Sequence, residues 1–299
     1  MQPGTAAFHE LACAALRGEG PAWPFGPGHA AAKGFIDFCA YHGIGPLVLD
    51  QLSETPAWPG WHGAVREALL REQRTLVAVE MLRRRETTDL LAGLHRIGVK
   101  ALLLKGTALA FGLYGEPMLR TRTDTDLLIE ADDKARAFEY LAAQGYASPA
   151  AVSGEYVSTQ RLFMKEAHGL RHAIDLHWRI NNAQVFAGRF EFAELAQHAL
   201  PVPTLGLAAK RLSNAYALLH ACLHRAAHAK HGDADRLQWF YDMHLLAADL
   251  DQAGWERFAR LASAKGLRSL CADALDRCGT LLSTPVPAAV TAVLQAPAA

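Results

Sequence analysis

Apolar positions along the chain change their period twice, and the changes divide it. From Trp61 to about Gly93 the rhythm is helical: Leu69, Leu70, Leu76, Val77, Val79 and Leu82 give an apolar face, and Arg83-Arg84-Arg85-Glu86 is polar. Upstream, the chain also reads as helical, with breaks at the Pro- and Gly-dense stretches 21–28 and 56–60. After Gly98 the pattern shortens. Val99 to Leu104 is a brief apolar run that predicts a buried strand, followed by Lys105-Gly106-Thr107 and a short helix to about Leu113. Asp126 to Ile129 predicts a second strand, and Asp132 can cap a helix running to about Gln144, with Gly145 as its stop. Tyr156 to Met164 and Arg171 to Arg179 predict two further strands, antiparallel neighbours. Residues 183–204 read as an irregular or partly helical connection containing Pro201 and Pro203. From about Leu207 to Leu282 the helical period returns, and the Ala- and Pro-rich last fifteen residues are expected to fray. The expected organisation is a helical region over 1–95, a small α/β unit over 96–182 and a helical region over 205–285. The short middle sheet must be covered by flanking helices, an α+β architecture.

Composition narrows the setting. The chain has 299 residues, which at ~150 per domain suggests about two domains. Lys+Arg and Asp+Glu are 30 each, so the basic excess of a general nucleic-acid binder is missing and long DNA or RNA is disfavoured as a partner. The five cysteines are odd in number and form no CxxC pair, which argues against a disulfide framework and a cysteine zinc site and fits a reducing cytoplasm. No basic segment followed by a long apolar run opens the chain, and no apolar stretch reaches the ~18 residues of a membrane span. A cytoplasmic protein is expected.

The candidate chemistry lies in Arg120-Thr121-Arg122-Thr123-Asp124-Thr125-Asp126. Side chains two apart on a strand share a face, so Asp124 and Asp126 point the same way. Two carboxylates so close repel each other, and a divalent cation removes the conflict; Mg²⁺ takes carboxylate, phosphate and water oxygens together. Asp175, between Ile174 and Leu176 in an apolar strand, can complete a two-metal site and help deprotonate an acceptor hydroxyl. Gly106 lets the backbone approach a phosphate, the following helix start offers free N–H groups, Thr107 adds a hydroxyl, and Lys105, Arg120 and Arg122 add positive charge. Each fragment alone has a bland reading as a solvated turn or a satisfied core carboxylate. Their order along the chain favours a site.

These residues resemble a known family. Leu103-Leu104-Lys105-Gly106, Tyr114-Gly115-Glu116-Pro117, Leu119-Arg120 and Asp124-Thr125-Asp126-Leu127-Leu128-Ile129 resemble the uncharacterised nucleotidyltransferase family of the DNA polymerase beta superfamily. Asp175-Leu176-His177-Trp178 is similar to its later carboxylate strand. Arg236-Leu237-Gln238-Trp239-Phe240-Tyr241-Asp242 is similar to the Arg-Leu-x-Trp-x-x-Asp segment of its C-terminal helices. The resemblance spans about residues 97–247. It implies a polymerase-beta-like palm with a mixed sheet carrying three acidic residues. It also implies Mg²⁺-dependent transfer of a nucleoside monophosphate from an NTP to an acceptor hydroxyl, with pyrophosphate released and two Mg²⁺ ions (or Mn²⁺) at Asp124, Asp126 and Asp175. The wider superfamily carries Gly-Ser or Gly-Gly where this chain has Lys-Gly-Thr, which also leaves room for phosphoryl transfer.

Fourteen histidines include His220, His224 and His228 at helical spacing on one face. Without a nearby carboxylate or cysteine to complete a ligand set, a polar face lining the cleft or packing on the palm is favoured over zinc. His224, Arg225, Lys230 and Arg236 are candidates to meet triphosphate or acceptor. Trp178 and Trp239 read as core, and His177 as either a carboxylate's partner or a surface residue. Four functions compete: an active nucleotidyltransferase using NTP and a small molecule or modified peptide as acceptor; a nucleotide-binding regulatory module without catalysis; a toxin-like or tRNA-modifying transferase; and a helical scaffold with an incidental Asp-x-Asp. The carboxylate set favours the first.

Overall fold

The computed structural model describes residues 3–149, 159–181, 186, 188–228 and 235–296. In chain order these form α1 (Pro3–Leu16), α2 (His29–His42), α3 (Gly45–Leu52), α4 (Gly63–Arg96), β1 (Ala101–Leu104), α5 (Lys105–Gly112), β2 (Thr125–Ile129), α6 (Lys134–Ala143), β3 (Gln160–Ala167), β4 (Leu170–His177), α7 (Phe192–Gln197), β5 (Leu200–Pro201), β6 (Lys210–Arg211), α8 (Asn214–His228), α9 (Leu237–Ala248), α10 (Gln252–Ala264), α11 (Arg268–Leu282) and α12 (Ala288–Gln295). No helix among the described residues is long and apolar enough to cross a membrane.

The chain divides into two units. One holds Val79–Leu113 and Arg122–His220; the other holds Met1–Ala78, Tyr114–Thr121 and Ala221–Ala299. In the first, six strands lie in the order β3-β4-β2-β1-β6-β5. β2 runs antiparallel to β1 and parallel to β4, so the sheet is mixed. One face is the core: Leu103, Leu127, Ile129, Phe163, Ile174 and Leu176 pack with Leu90, Leu91 and Leu94 of α4 and with Ala137 and Leu141 of α6. Side chains alternate along a strand, so Asp126 between Leu127 and Thr125, and Asp175 between Ile174 and Leu176, turn to the opposite face. Gly112 closes α5 beneath the buried Arg211, whose side chain occupies the place a Cβ would take and bonds Asn214 at 2.5 Å.

The expected elements from α4 to β4 are present with shifted ends. α6 differs at its start. Asp132 lies in a 3-10 turn, Ala131–Asp133, and Asp133 is the cap residue but spends its carboxylate on Arg136 instead of the backbone. Gly145, at φ +84°, ends the segment after α6 as its position predicts. β3 and β4 pair antiparallel, Gln160 to His177 through Ala167 to Leu170. Residues 156–158 of the expected strand lie outside the described residues. The connection read as irregular contributes β5 to the sheet, and β6 is a correction: it lies where the helical stretch from about Leu207 is expected, and α8 starts only at Asn214. Two-residue strands carry too few positions to show a period. The end of the chain is a correction: α12 is formed where fraying is expected, because Val290 and Leu294, four apart, are both buried.

The second unit is helical. Phe8, Trp23, Phe25, Phe35, Phe38 and Trp61 form its aromatic core, with ring centroids about 5–6.5 Å apart and mostly edge-to-face. All five cysteines are buried thiols in its helices. His42 is buried against α9, where Nδ1 accepts the Leu237 N–H at 3.2 Å. Burial, followed by the charges of His9 and Arg236, lowers its pKa to about 4.

A histidine that is neutral when folded and charged when unfolded removes stability as the pH falls. The His42 contribution is fully present above its unfolded pKa of 6.5 and is lost between there and about 4, a total of about 3 kcal/mol. Urea unfolding across this range should therefore show a steeper acid-side loss in wild type than in His42→Gln. Equal slopes would contradict the assignment.

Candidate active site

β1 ends at Leu104, and Lys105 follows in the left-handed region at φ 45°, starting α5. This conformation costs a non-glycine residue about 1 kcal/mol. Across the sheet, Leu104 is in register with Asp126 of β2, and Asp126 with Asp175 of β4. Asp124 precedes β2 by one residue. The end of one strand and the beginning of the next thus bring together residues far apart in sequence.

The side chains interlock there. Lys105 Nζ donates to Asp126 Oδ1 at 2.6 Å, and His177 Nε2 lies 3.0 Å from the same oxygen. His177 Nε2 is also 3.4 Å from Asp175 Oδ2, which accepts from Gln160 Nε2 at 2.7 Å. Side-chain exposure is 1% for His177, 7% for Asp126, 13% for Asp175 and 23% for Lys105, so the cluster opens toward Asp175 and Lys105. His177 is a carboxylate partner; the surface alternative is excluded by its burial. It stands two residues after Asp175, and this spacing already places both on one face.

The charges divide the carboxylates. Burial alone would raise the Asp126 pKa, but the Lys105 charge and the His177 hydrogen bond hold it well below the usual range. Asp124 has no hydrogen bond to either among the described residues, and burial, then the charge of Asp126, pushes it up to about 6 against the charges of Lys105 and His177. Burial opposes the charged forms of Lys105 and His177, yet the carboxylates raise both above their ordinary values. His220 is buried nearby; desolvation, then the Lys105 charge, lowers it to about 3 and keeps it neutral.

Asp126, Asp175 and His177 offer three ligand atoms within 4.8 Å of one another. Asp175 Oδ1 is buried and has no hydrogen-bond partner among the described residues, a costly state that a cation relieves. Two carboxylates and an imidazole suit a divalent ion, the carboxylates a hard one and the imidazole a borderline one. The residues present therefore fit a divalent metal. Asp124 stands outside this trio but couples electrostatically to Asp126, Asp175 and Lys105.

The other expected site residues divide. Gly106 and Thr107 lie buried in the first turn of α5, and Thr107 Oγ1 donates to Thr125 Oγ1 at 3.3 Å. Arg122 is buried in the same unit; it pairs with Glu80 at 2.6 Å and lies 5.5 Å from the Phe111 ring centroid, while its Nε and Nη1 have no partner among the described residues. Arg83 of α4 donates to the Arg122 carbonyl. Arg120 belongs to the helical unit and is engaged there: Nε and Nη2 reach Asp242 at 2.7 Å, and Nη1 donates to Gln238 Oε1 and the Thr121 carbonyl, each at 2.6 Å. Tyr114 OH completes the cluster on Asp242 at 2.7 Å. Arg236 immediately precedes α9, donates to the Tyr41 carbonyl at 3.1 Å and lies over the Tyr41 ring. Arg225 pairs with Asp235 and Asp273. His224 and His228 pack around Trp239, at 4.7 and 5.2 Å between centroids, and Lys134 lies over Trp178. Lys230 lies outside the described residues.

Residues 29–283 match a family model described as uncharacterised nucleotidyltransferase. The crystal structure of an antigenic nucleotidyltransferase-like protein from Paracoccidioides brasiliensis is similar at 13% identity, over 70% of this chain and 95% of that one, with a TM-score of 0.39. No curated protein matches the chain.

The engagement of Arg120 makes a prediction. Removing one partner of a buried, doubly hydrogen-bonded ion pair leaves the other charge uncompensated, at a cost of about 3–5 kcal/mol. Arg120→Ala should lower the unfolding free energy by this amount in a urea titration. An unchanged midpoint would show that Arg120 has no structural role.

Proposed function

The chain belongs to the uncharacterised nucleotidyltransferase family, and from that premise we propose that it moves a nucleoside monophosphate from an NTP to an acceptor hydroxyl at the face carrying Asp124, Asp126 and Asp175. The observation that supports this most is the register of β2 against β4, which puts Asp126 opposite Asp175 with His177 Nε2 within reach of both. Like charges held that close by main-chain pairing favour cation binding.

Asp126, Asp175 and His177 are the residues that would hold Mg²⁺ or Mn²⁺, and Asp124 stands beside them for a second ion. Such ions supply neutralisation of the triphosphate and acidify the attacking hydroxyl. The chain itself positions the reactants. Lys105 and the Gly106 and Thr107 amides at the start of α5 offer donors to phosphate oxygens, and Arg122, two of whose nitrogens have no hydrogen-bond partner among the described residues, adds positive charge. The acceptor oxygen bonds to the α-phosphorus, the α–β bridging P–O bond breaks, and pyrophosphate leaves with that bond's electrons. The hydroxyl proton passes to the Asp175 carboxylate. A small molecule or a modified peptide is the acceptor class this reading favours. Arg120 and Arg236 are left out of the phosphate set because their guanidinium groups are engaged within the helical unit.

Calorimetry with each NTP, with and without Mg²⁺, tests the site without knowing the acceptor. Wild type should bind at least one NTP in a Mg²⁺-dependent manner, and Asp124→Asn/Asp126→Asn should weaken this about tenfold or more. Transfer of α-label, but not γ-label, to an acceptor distinguishes nucleotidyl from phosphoryl transfer. Binding indifferent to both aspartates would defeat the proposal.

A further inference from the structure

Asp126 Oδ1 has two in-plane lone pairs, and both are in use: Lys105 Nζ is 2.6 Å away and His177 Nε2 is 3.0 Å away. A metal ion cannot coordinate that oxygen while both donors remain. His177 is fixed by burial at the end of β4, and its Nε2, on giving up its proton, is itself the atom that would ligate the ion without moving away. Lys105 is different. It is partly exposed, it has a flexible four-carbon stem, and it starts from a strained left-handed backbone position at the junction of β1 and α5. Its ammonium also feels the charges of all three aspartates, so it sits in the field a divalent ion would occupy.

We propose that Lys105 is a positioning residue that acts as the internal counter-ion of the site: it holds Asp126 in the ligand-free protein and must leave Asp126 Oδ1 before a divalent cation coordinates there, passing its charge to the triphosphate. The inference rests on the reading of Asp126, Asp175 and His177 as metal ligands and adds an order to it. Metal alone has to displace a bonded ammonium. Metal together with triphosphate gives that ammonium a new partner, so each ligand strengthens the binding of the other. A permanent structural bridge between Lys105 and Asp126 has the opposite consequence, since its removal would disorder Asp126 and weaken metal binding.

Titration of Mn²⁺, followed by electron paramagnetic resonance without nucleotide, separates the two. Lys105→Met and Lys105→Gln should bind Mn²⁺ about tenfold or more tightly than wild type, because the competing charge is gone. Lys105→Arg, which keeps the cation, should show no gain, and Asp126→Asn should lose binding. A non-hydrolysable ATP analogue should tighten Mn²⁺ binding in wild type and do so less in Lys105→Met. Should Lys105→Met and Lys105→Gln bind Mn²⁺ no better than wild type while wild type binds it measurably, the displacement is overturned and the metal site survives. Absence of Mn²⁺ binding in wild type and in every Lys105 variant overturns the metal reading and the displacement together. Circular dichroism checks the fold of each variant, and if Lys105→Met unfolds, Lys105→Gln and Lys105→Arg decide.

Discussion

Asp126 cannot lie buried in a sheet as a solitary carboxylate. Its desolvation is large, and another carboxylate faces it from the neighbouring strand. What makes the position tenable is the pair of donors on one of its oxygens, Lys105 from the end of β1 and His177 from the end of β4. This requirement constrains the surrounding architecture. β2 must lie between β1 and β4, as it does. β4 must run parallel to β2, so that Asp175 and His177 reach the same face at the right depth. The chain after β1 must turn sharply enough to send the Lys105 ammonium back over its neighbour. The opposite face of the same strands, with Leu127, Ile129, Ile174 and Leu176, supplies the apolar burial that holds the register. A one-residue slip would exchange the two faces, bringing the carboxylates into the core and leucines to the site.

A second constraint acts in the helical unit. Tyr114 to Thr121 lies between α5 and β2 in sequence, yet it belongs to the unit formed by the two ends of the chain. Arg120 accounts for this. Its guanidinium is held by Asp242, Gln238 and the Thr121 carbonyl, and Gln238 in turn donates to the Gly43 carbonyl at 2.8 Å and to Thr121 Oγ1 at 2.6 Å. Gly43 ends α2 at φ +68°, and a Cβ there would press on Thr121 and Gln238. A glycine, two polar side chains and one ion pair thereby fix an eight-residue excursion of the chain.

These two constraints explain what was legible in the sequence. Asp124 and Asp126 stand out because strand alternation is a short-range rule that puts an Asp-x-Asp pair on one face, and Asp175 because an aspartate inside an apolar run is conspicuous. His177 obeys the same rule, and the Asp175-x-His177 spacing was the signal for it. The partner of Arg120 was not legible. A basic residue before Asp-x-Asp looks like a phosphate ligand, and the carboxylate that holds it lies 122 residues further on, where no local pattern connects them. Arg236 is a similar case, since its contacts with Tyr41 span 195 residues. β5 and β6 escape notice because two residues define no period, and α12 because its alanines and prolines mask the Val290 and Leu294 pair.

The same reasoning separates the histidines. His220, His224 and His228 share a helical spacing, but burial gives them unlike chemistry. His220 is in the sheet unit, enclosed and held neutral by desolvation and by the charge of Lys105. His224 and His228 belong to the helical unit, with rings 4.4 Å apart, and serve as aromatic surfaces against Trp239. Helical spacing establishes only that side chains project in a common direction. What each meets there is set by elements distant in sequence, and for His220 these include the strands that carry Asp126 and His177. A neutral imidazole adds no further positive charge beside Lys105, which leaves the Lys105 charge and the His177 hydrogen bond to balance Asp126. The charge state of the site therefore depends on a residue that makes no contact with its carboxylates among the interactions described.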